Sequence, residues 1–483
     1  MEARDEDRPM VVDLDGTLIR TDSLHELLLR VYVSGPPRLL AAMVALGGGK
    51  AVFKDRVAAM ASLSPEALPY NDDVLEFLRA EKAKGRRLVL ATASHESIAR
   101  EISEHLGLFD AVIASTREHN LRGKQKLTAI EKLINGASFD YIGNALVDRP
   151  MWAAAGRAYV VASSDAGARQ LAGVPVERRF SAPRPGLKTV LRAMRIHQWA
   201  KNMLIFAPLF LAQKWSEPRL WLLGTLAFVS FGMCASATYL WNDLLDLPAD
   251  RLHRSKRFRP LASGALSIGQ GLFLSLVLIL GSFAIAVFPV GPAFAGLLLL
   301  YVVTTVSYSV ILKRKPIADV VTLACLYGLR ILAGGVAMSV VLTDWLMVFS
   351  IFFFLSLGFM KRLADLPMSS TTTFDRVPGR GYGALDRPVV VTLGIAAGYC
   401  SIIILALYIR DPNVVELYPR PQFLWVVCMT LLYWLSRCWI LSARGHIDDD
   451  PVVFALKDKI SLGCGVVTLV FVLLAGLTIG DFG

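Results

Sequence analysis

The chain carries two different patterns of apolar and polar positions. From about residue 10 to residue 165, short apolar runs alternate with stretches of helical period. Met10-Val11-Val12, Arg87-Leu88-Val89-Leu90-Ala91 and Phe139-Asp140-Tyr141-Ile142-Gly143 read as buried strands. Leu127, Ile130, Leu133 and Ile134 mark one amphipathic helix between them. Strands alternating with helices predict a doubly wound α/β domain. Residues 20–75 are helical in period and predict a cap inserted after the first strand. Beyond residue 190 the apolar runs become long enough to span a bilayer. Nine are expected, at about 200–214, 219–241, 270–289, 291–312, 317–340, 345–360, 389–409, 423–442 and 460–480. That half predicts an all-α polytopic membrane domain. Between the halves, Val174-Pro175, Ala182-Pro183 and Arg184-Pro185-Gly186 interrupt any helix. The expected division is a soluble domain over 1–165, a linker over 166–189 and a membrane domain over 190–483.

Composition agrees with a mixed chain. The 483 residues are 54% hydrophobic with mean hydropathy +0.50, too apolar for a soluble protein of this size. The net charge of +11 would suit a nucleic-acid binder. The basic residues instead cluster between apolar runs, at Arg251 to Arg259, Lys313-Arg314-Lys315 and Lys361-Arg362. Those loops fall on one side of a nine-span chain, as the positive-inside rule requires, so no nucleic acid is expected. The charged start, Met1 to Pro9, has no apolar core of a signal peptide. The soluble domain and the basic loops are therefore expected on the cytoplasmic side of a bacterial-type plasma membrane. All six cysteines lie in the apolar half without C-x-x-C spacing, and read as small buried hydrophobes.

The chemistry concentrates at Asn242-Asp243-Leu244-Leu245-Asp246-Leu247-Pro248-Ala249-Asp250-Arg251, at the end of the second apolar run. Asp243, Asp246 and Asp250 recur at i, i+3 and i+7 and would share one face of a helix. Three acids at the mouth of a membrane helix are expensive unless a cation sits on them. Mg²⁺, which takes one or two carboxylates plus substrate phosphates, is the expected cation. The basic residues just beyond can grip the same phosphates.

This N-D-x-x-D-x-x-x-D run resembles the first signature of the UbiA prenyltransferase superfamily. Arg251 through Pro260, with Lys256-Arg257-Phe258-Arg259, resembles its decaprenyl-phosphate phosphoribosyltransferase branch more closely. So do Arg195-Ile196-His197-Gln198-Trp199-Ala200-Lys201-Asn202 and Lys361-Arg362-Leu363-Ala364-Asp365. Aromatic-acceptor members of the superfamily carry a second acidic motif where this chain has Lys361-Arg362. The resemblance implies a Mg²⁺-dependent transfer of 5-phosphoribosyl from phosphoribosyl pyrophosphate (PRPP) to a polyprenyl phosphate. Asp243, Asp246 and Asp250 would hold Mg-pyrophosphate, with Asn242 orienting it. Arg251, Lys256, Arg257 and Arg259 would bind the diphosphate or the 5-phosphate. Arg195, Lys201, Lys361 and Arg362 would hold the remaining phosphate and the lipid phosphate. The competing expectation is an aromatic-acceptor prenyltransferase. Monomer and homo-oligomer are both open, and His446 to Lys459 reads as a solvated loop.

The soluble half resembles the haloacid dehalogenase (HAD) phosphatases through Asp13-Leu14-Asp15-Gly16-Thr17 at the end of the first strand. The resemblance makes Asp13 the nucleophile that forms an aspartyl-phosphate and Asp15 the general acid and base. Thr92 would hold the phosphate, with Ser94 as second choice. Lys126 would balance the charge, with Lys124 as alternative. Asp13 and Asp148 would hold Mg²⁺. The family's usual first acid of the last motif is here Asn144, which removes a carboxylate. A phosphatase beside this transferase would remove the 5-phosphate of its product.

Overall fold

A computed structural model describes residues 8–182, 185–366, 381–447 and 450–477. The chain forms two compact units, Met1–Met194 with Tyr239–Ser275, and Arg195–Thr238 with Leu276–Gly483.

The first unit is built on six parallel strands in the order β3-β2-β1-β4-β5-β6. They are β1 (Met10–Val12), β2 (Leu88–His95), β3 (Ala111–Ser115), β4 (Asp140–Gly143), β5 (Ala158–Ala162) and β6 (Val176–Ser181). Residues of β1, β2 and β4 are almost wholly buried, as parallel strands covered on both faces must be. β1 lies between β2 and β4, where strand order reverses, so Asp13 emerges at the switch point where such sheets place their ligands. The expected cap is present as α1 (Ser23–Ser34), α2 (Pro36–Val44) and α3 (Lys50–Met60). α4 (Asp72–Ala83), α5 (Glu96–Leu106), α6 (Lys124–Leu133), α7 (Arg149–Ala154) and α8 (Asp165–Ala172) connect the strands. α8 and β6 occupy the stretch expected as linker. The sheet therefore runs on to Ser181, and its edge strand is carried by Val176 and buried Phe180 among charged residues.

Beyond α9 (Leu187–Ala193), eight helices among the described residues are long and apolar enough to cross a membrane. They comprise α11 (Pro218–Leu245), α13 (Ile268–Ile285, continued to Val290), α14 (Pro292–Val310), α15 (Ala318–Met338), α16 (Asp344–Asp365), α17 (Arg387–Tyr408), α19 (Leu424–Ala443) and α21 (Lys459–Gly476). Short α12 (Leu247–Leu252), α18 (Pro412–Leu417) and α20 (Pro451–Ala455) lie in the connections.

The first expected span takes another form. Ile196–Phe206 is a 3₁₀ helix leading into short α10 (Ala207–Leu211). Lys201 bonds Asp450, in the connection before α21. The Leu211 carbonyl accepts from Tyr418, in the connection before α19. These are opposite ends of the helix bundle, so the chain crosses here without a long helix. At roughly 2 Å per residue a 3₁₀ segment gains length quickly. Gly334 of α15 allows the close packing: a side chain there would meet the Ile205 carbonyl oxygen at 2.0 Å.

Candidate active sites

In the first unit a cavity of about 660 Å³ opens at the carboxyl end of β1, lined by Asp13, Asp15, Ser94, Lys126, Asn144 and Asp148 among others. α6 presents Lys126, buried to 3% exposure, while Lys124 is exposed. Its ammonium donates to Asp13 Oδ1 at 2.8 Å and lies 3.6 Å from Asp148 Oδ1. Lys126 also lies 3.0 Å from the Tyr141 hydroxyl, which donates to Asp148 Oδ1 at 2.9 Å. Asp148 Oδ2 accepts from the Asn144 and Ala145 amides. Burial pushes the Asp13 carboxyl up to about 7; Lys126 opposes this and Asp148 adds to it. Despite burial, Asp13 and Asp148 hold Lys126 above its ordinary value.

Asp15 is set for the opposite task. The Ser23 amide donates to Asp15 Oδ1 at 2.8 Å, and the Ser94 hydroxyl to Oδ2 at 2.5 Å. Burial, then Asp22, raises its pKa. A carboxyl with a raised pKa suits a general acid. Ser94, rather than Thr92, lines the cavity. Thr92 is fully buried and its hydroxyl accepts the Ser94 amide, so it shapes the turn that presents Ser94. Gly16 has φ +72, and a Cβ there would meet Asn144 Nδ2 at 2.1 Å. Asn144 thus packs directly on the loop that carries Asp13 and Asp15.

The acidic run of residues 242–251 is not one helix. α11 ends at Leu245, Asp246 caps α12, and Pro248 falls in the first turn of α12. Asp243 and Asp250 are buried, whereas Asp246 is exposed. The Arg259 guanidinium reaches Asp243 Oδ1 at 3.1 Å and Asp250 Oδ2 at 2.5 Å. Two of the three expected acids therefore converge on one cation. Arg259, expected at phosphate, is engaged with those acids. Lys256 and Arg257 are exposed, and Asn242 is partly buried.

Arg251 has a partner that its sequence neighbourhood did not suggest. Its guanidinium donates to Glu26 Oε2 at 3.0 Å and Oε1 at 2.5 Å, and to the Ala262 carbonyl. Glu26, on α1 of the cap, is 2% exposed and also accepts from Thr21. This bidentate pair ties the acidic run to the cap, and Arg251, expected at phosphate, is engaged there.

In the second unit, Asp450 accepts from Lys201 and, at 3.1 Å, from Lys361. Burial works against the Asp450 charge, but Lys361 and Lys201 outweigh it and hold its pKa far below the usual carboxylate range. Asp450 caps α20 through Val452 N and belongs to the run expected as a solvated loop; its neighbours Asp448 and Asp449 lie outside the described residues. Arg362 is 1% exposed, pairs with Asp319 at 2.7 Å and with Asp365, and reaches Tyr308. Tyr382 donates to Asp319 from the other side. Arg362, expected at phosphate, is buried and engaged with these partners. Arg195, at φ +52, caps the 3₁₀ segment. Arg330 of α15 is 5% exposed, bonds Asn202 and the Leu326 carbonyl, and lies over the rings of Phe231, Tyr301 and Tyr327.

The model of the UbiA prenyltransferase family matches residues 203–462, more than half of the chain. The chain belongs to the UbiA prenyltransferase family. Ahead of the UbiA part, residues 10–153 match the haloacid dehalogenase-like hydrolases. A Sinorhizobium fredii protein of uncharacterised function, y4nM, is 37% identical over 95% of this chain and 90% of its own length, so the two-domain order recurs there. The nodulation protein NoeC of Azorhizobium caulinodans is 34% identical over 57% of this chain and 89% of its own. Decaprenyl-phosphate phosphoribosyltransferase of Corynebacterium glutamicum is 34% identical over 38% of this chain and 56% of its own length.

UbiA and HAD enzymes point to Mg²⁺, and both acidic pairs fit it. Asp243 with Asp250, and Asp13 with Asp148, each aim two carboxylates at a single cation. Mg²⁺ binds in that manner, with phosphate oxygens and water completing its shell. Among the described residues no three His, Cys, Asp or Glu side chains form a ready-made metal cage.

Proposed function

We propose that this UbiA-family protein transfers 5-phosphoribosyl from PRPP to a polyprenyl phosphate with release of pyrophosphate, and that its HAD domain then removes the 5-phosphate. The observation that carries the reading is the pair Lys201 and Lys361 converging on Asp450. Two ammoniums meeting at one carboxylate can also receive an anionic substrate group. Its context is the sequence match to decaprenyl-phosphate phosphoribosyltransferases.

In the transfer, the C1–pyrophosphate bond of ribose breaks, C1 becomes oxocarbenium-like, and an oxygen of the lipid phosphate forms the new bond. Mg²⁺ bound at Asp243 and Asp250 would neutralise the leaving pyrophosphate. Arg259 releases those carboxylates as it turns to the phosphates, and exposed Lys256 and Arg257 add charge. Lys201 and Lys361 hold the lipid phosphate, so catalysis is mostly positioning and charge stabilisation. An apolar cavity of about 200 Å³, lined by Leu211, Leu346, Phe349 and Leu431, offers room for part of the tail. In the second reaction Asp13 attacks the 5-phosphoryl phosphorus and Asp15 protonates the departing ribose oxygen. Asp15 then takes a proton from the water that cleaves the aspartyl-phosphate, and phosphate leaves. Lys126 and Ser94 hold the phosphoryl oxygens.

Purified protein with Mg²⁺, labelled PRPP and a polyprenyl phosphate tests both steps. Label is expected in the lipid phase, and Asp243→Ala should abolish it. Loss of the 5-phosphate from the lipid product should require Asp13. Transfer of a polyprenyl chain to an aromatic acid, with no label in lipid, would overturn the reading.

A further inference from the structure

The cap of the HAD domain turns an apolar face outward. Leu40, Met43 and Val44 on α2 are 69%, 49% and 80% exposed, and Leu46 in the next turn is 44% exposed. Positions 40, 43 and 44 share one helix face. On the opposite face, Ala42 and Leu39 pack into the domain core. A face of this kind on a soluble domain marks an interaction surface.

Two further observations say what covers it. Leu46 lines the Asp13 cavity, and so do Ser267 and Ile268. Ile268 is the first residue of a candidate span with mean hydropathy 2.6. The wall of the Asp13 cavity therefore includes the residue at which a candidate membrane helix begins. Arg38 and Lys50, at either end of the apolar face, are exposed and suit anionic headgroups.

We propose that α2 lies in the headgroup layer with Leu40, Met43 and Val44 in the acyl boundary, and that lipid-borne phosphate monoesters enter the Asp13 cavity beside it. A substrate carried on a polyprenyl chain keeps its tail in the bilayer, so a phosphatase acting on it must bring its cavity to the surface. The surface stands on geometry alone; the identity of the monoester rests on the proposed function.

The test uses the full chain in nanodiscs of phosphatidylethanolamine and phosphatidylglycerol. A photoreactive benzophenone amino acid replaces Val44, or, as control, exposed Glu104 on α5. After irradiation, mass spectrometry should find lipid adducts at position 44 and none at 104. Adducts only to a second copy of the chain, or none at all, would overturn the proposal. This readout needs no turnover, so it stands or falls apart from the phosphatase reading. Leu40→Glu combined with Val44→Glu should then lower phosphate release from the phosphoribosylated lipid by about tenfold while leaving p-nitrophenyl phosphate hydrolysis unchanged. Equal loss on both would show that α2 supports the cavity and does not admit lipid.

Discussion

Two buried charge clusters in this molecule are mirror images. In the first unit two carboxylates, Asp13 and Asp148, share one ammonium, Lys126. In the second, two ammoniums, Lys201 and Lys361, share one carboxylate, Asp450. In these ion pairs the carboxylates outnumber the ammonium in the first cluster and the ammoniums outnumber the carboxylate in the second, and bringing like charges together is costly. A cation suits the acid pair and an anion the base pair. Asp243 and Asp250 about Arg259 repeat the acidic version, with a cation borrowed from a nearby loop. The two proposed reactions call for both kinds.

The comparison is broken most sharply at the acid pair. Asp13→Asn keeps the shape and removes the nucleophile. Phosphate release should fall by roughly three orders of magnitude or more, with label transfer to lipid unchanged. A matching fall in transfer would mean that the two sites are not separate. At the base pair, Lys201→Met should raise the KM for the anionic substrate by about tenfold to a hundredfold, as loss of a desolvated charge contact does. Asp450→Asn separates positioning from binding, because it leaves the buried Lys201 ammonium beside the partly exposed one of Lys361 without their shared carboxylate. It should cost about 3 kcal/mol in the absence of anions, and pyrophosphate should raise its melting temperature more than that of the parent chain.

A third test concerns the tie to the cap. If Arg251 acts through Glu26, then Glu26→Gln and Arg251→Gln should have equal effects on transfer, and the double variant should be no worse, with a coupling of about 2 kcal/mol in stability. A much larger KM effect for Arg251→Gln alone would return Arg251 to the phosphates. The smallest effect is expected at Asn144. Asn144→Asp adds a third carboxylate beside Gly16 and should lower the Mg²⁺ concentration needed for phosphate release by about tenfold.

What the sequence disclosed was local. Asp13-Leu14-Asp15-Gly16 sits at a strand end because an apolar triplet precedes it, and both facts are contiguous in the chain. The long apolar runs disclosed the eight helices for the same reason. The partners of the charges were hidden because they come from far along the chain. Lys201 meets Asp450 across 249 positions, and Arg251 meets Glu26 across 225. The expectation of Arg251, Arg259 and Arg362 at phosphate followed from local charge and from the resemblance, neither of which discloses that each has a buried acid for a partner. β6 escaped notice because an edge strand needs only one buried side chain, Phe180, and Glu177, Arg178 and Arg179 masked the pattern. The 3₁₀ crossing escaped because apolarity reports burial and not the pitch of the backbone.

Arg330 has a consequence for how the protein is made. No carboxylate among the described residues lies within ion-pair distance of it; Asn202 and three aromatic rings hold it. Placing an arginine near the middle of a lone membrane helix costs about 2.5 to 3.5 kcal/mol during insertion. α15 carries that burden until Phe231 of α11, Tyr301 of α14 and the 3₁₀ segment with Asn202 close around it. All three precede α15 in the chain, so the cage is synthesised before the charge that it receives. The order of translation spares the ribosome-bound intermediate an unshielded cation in lipid.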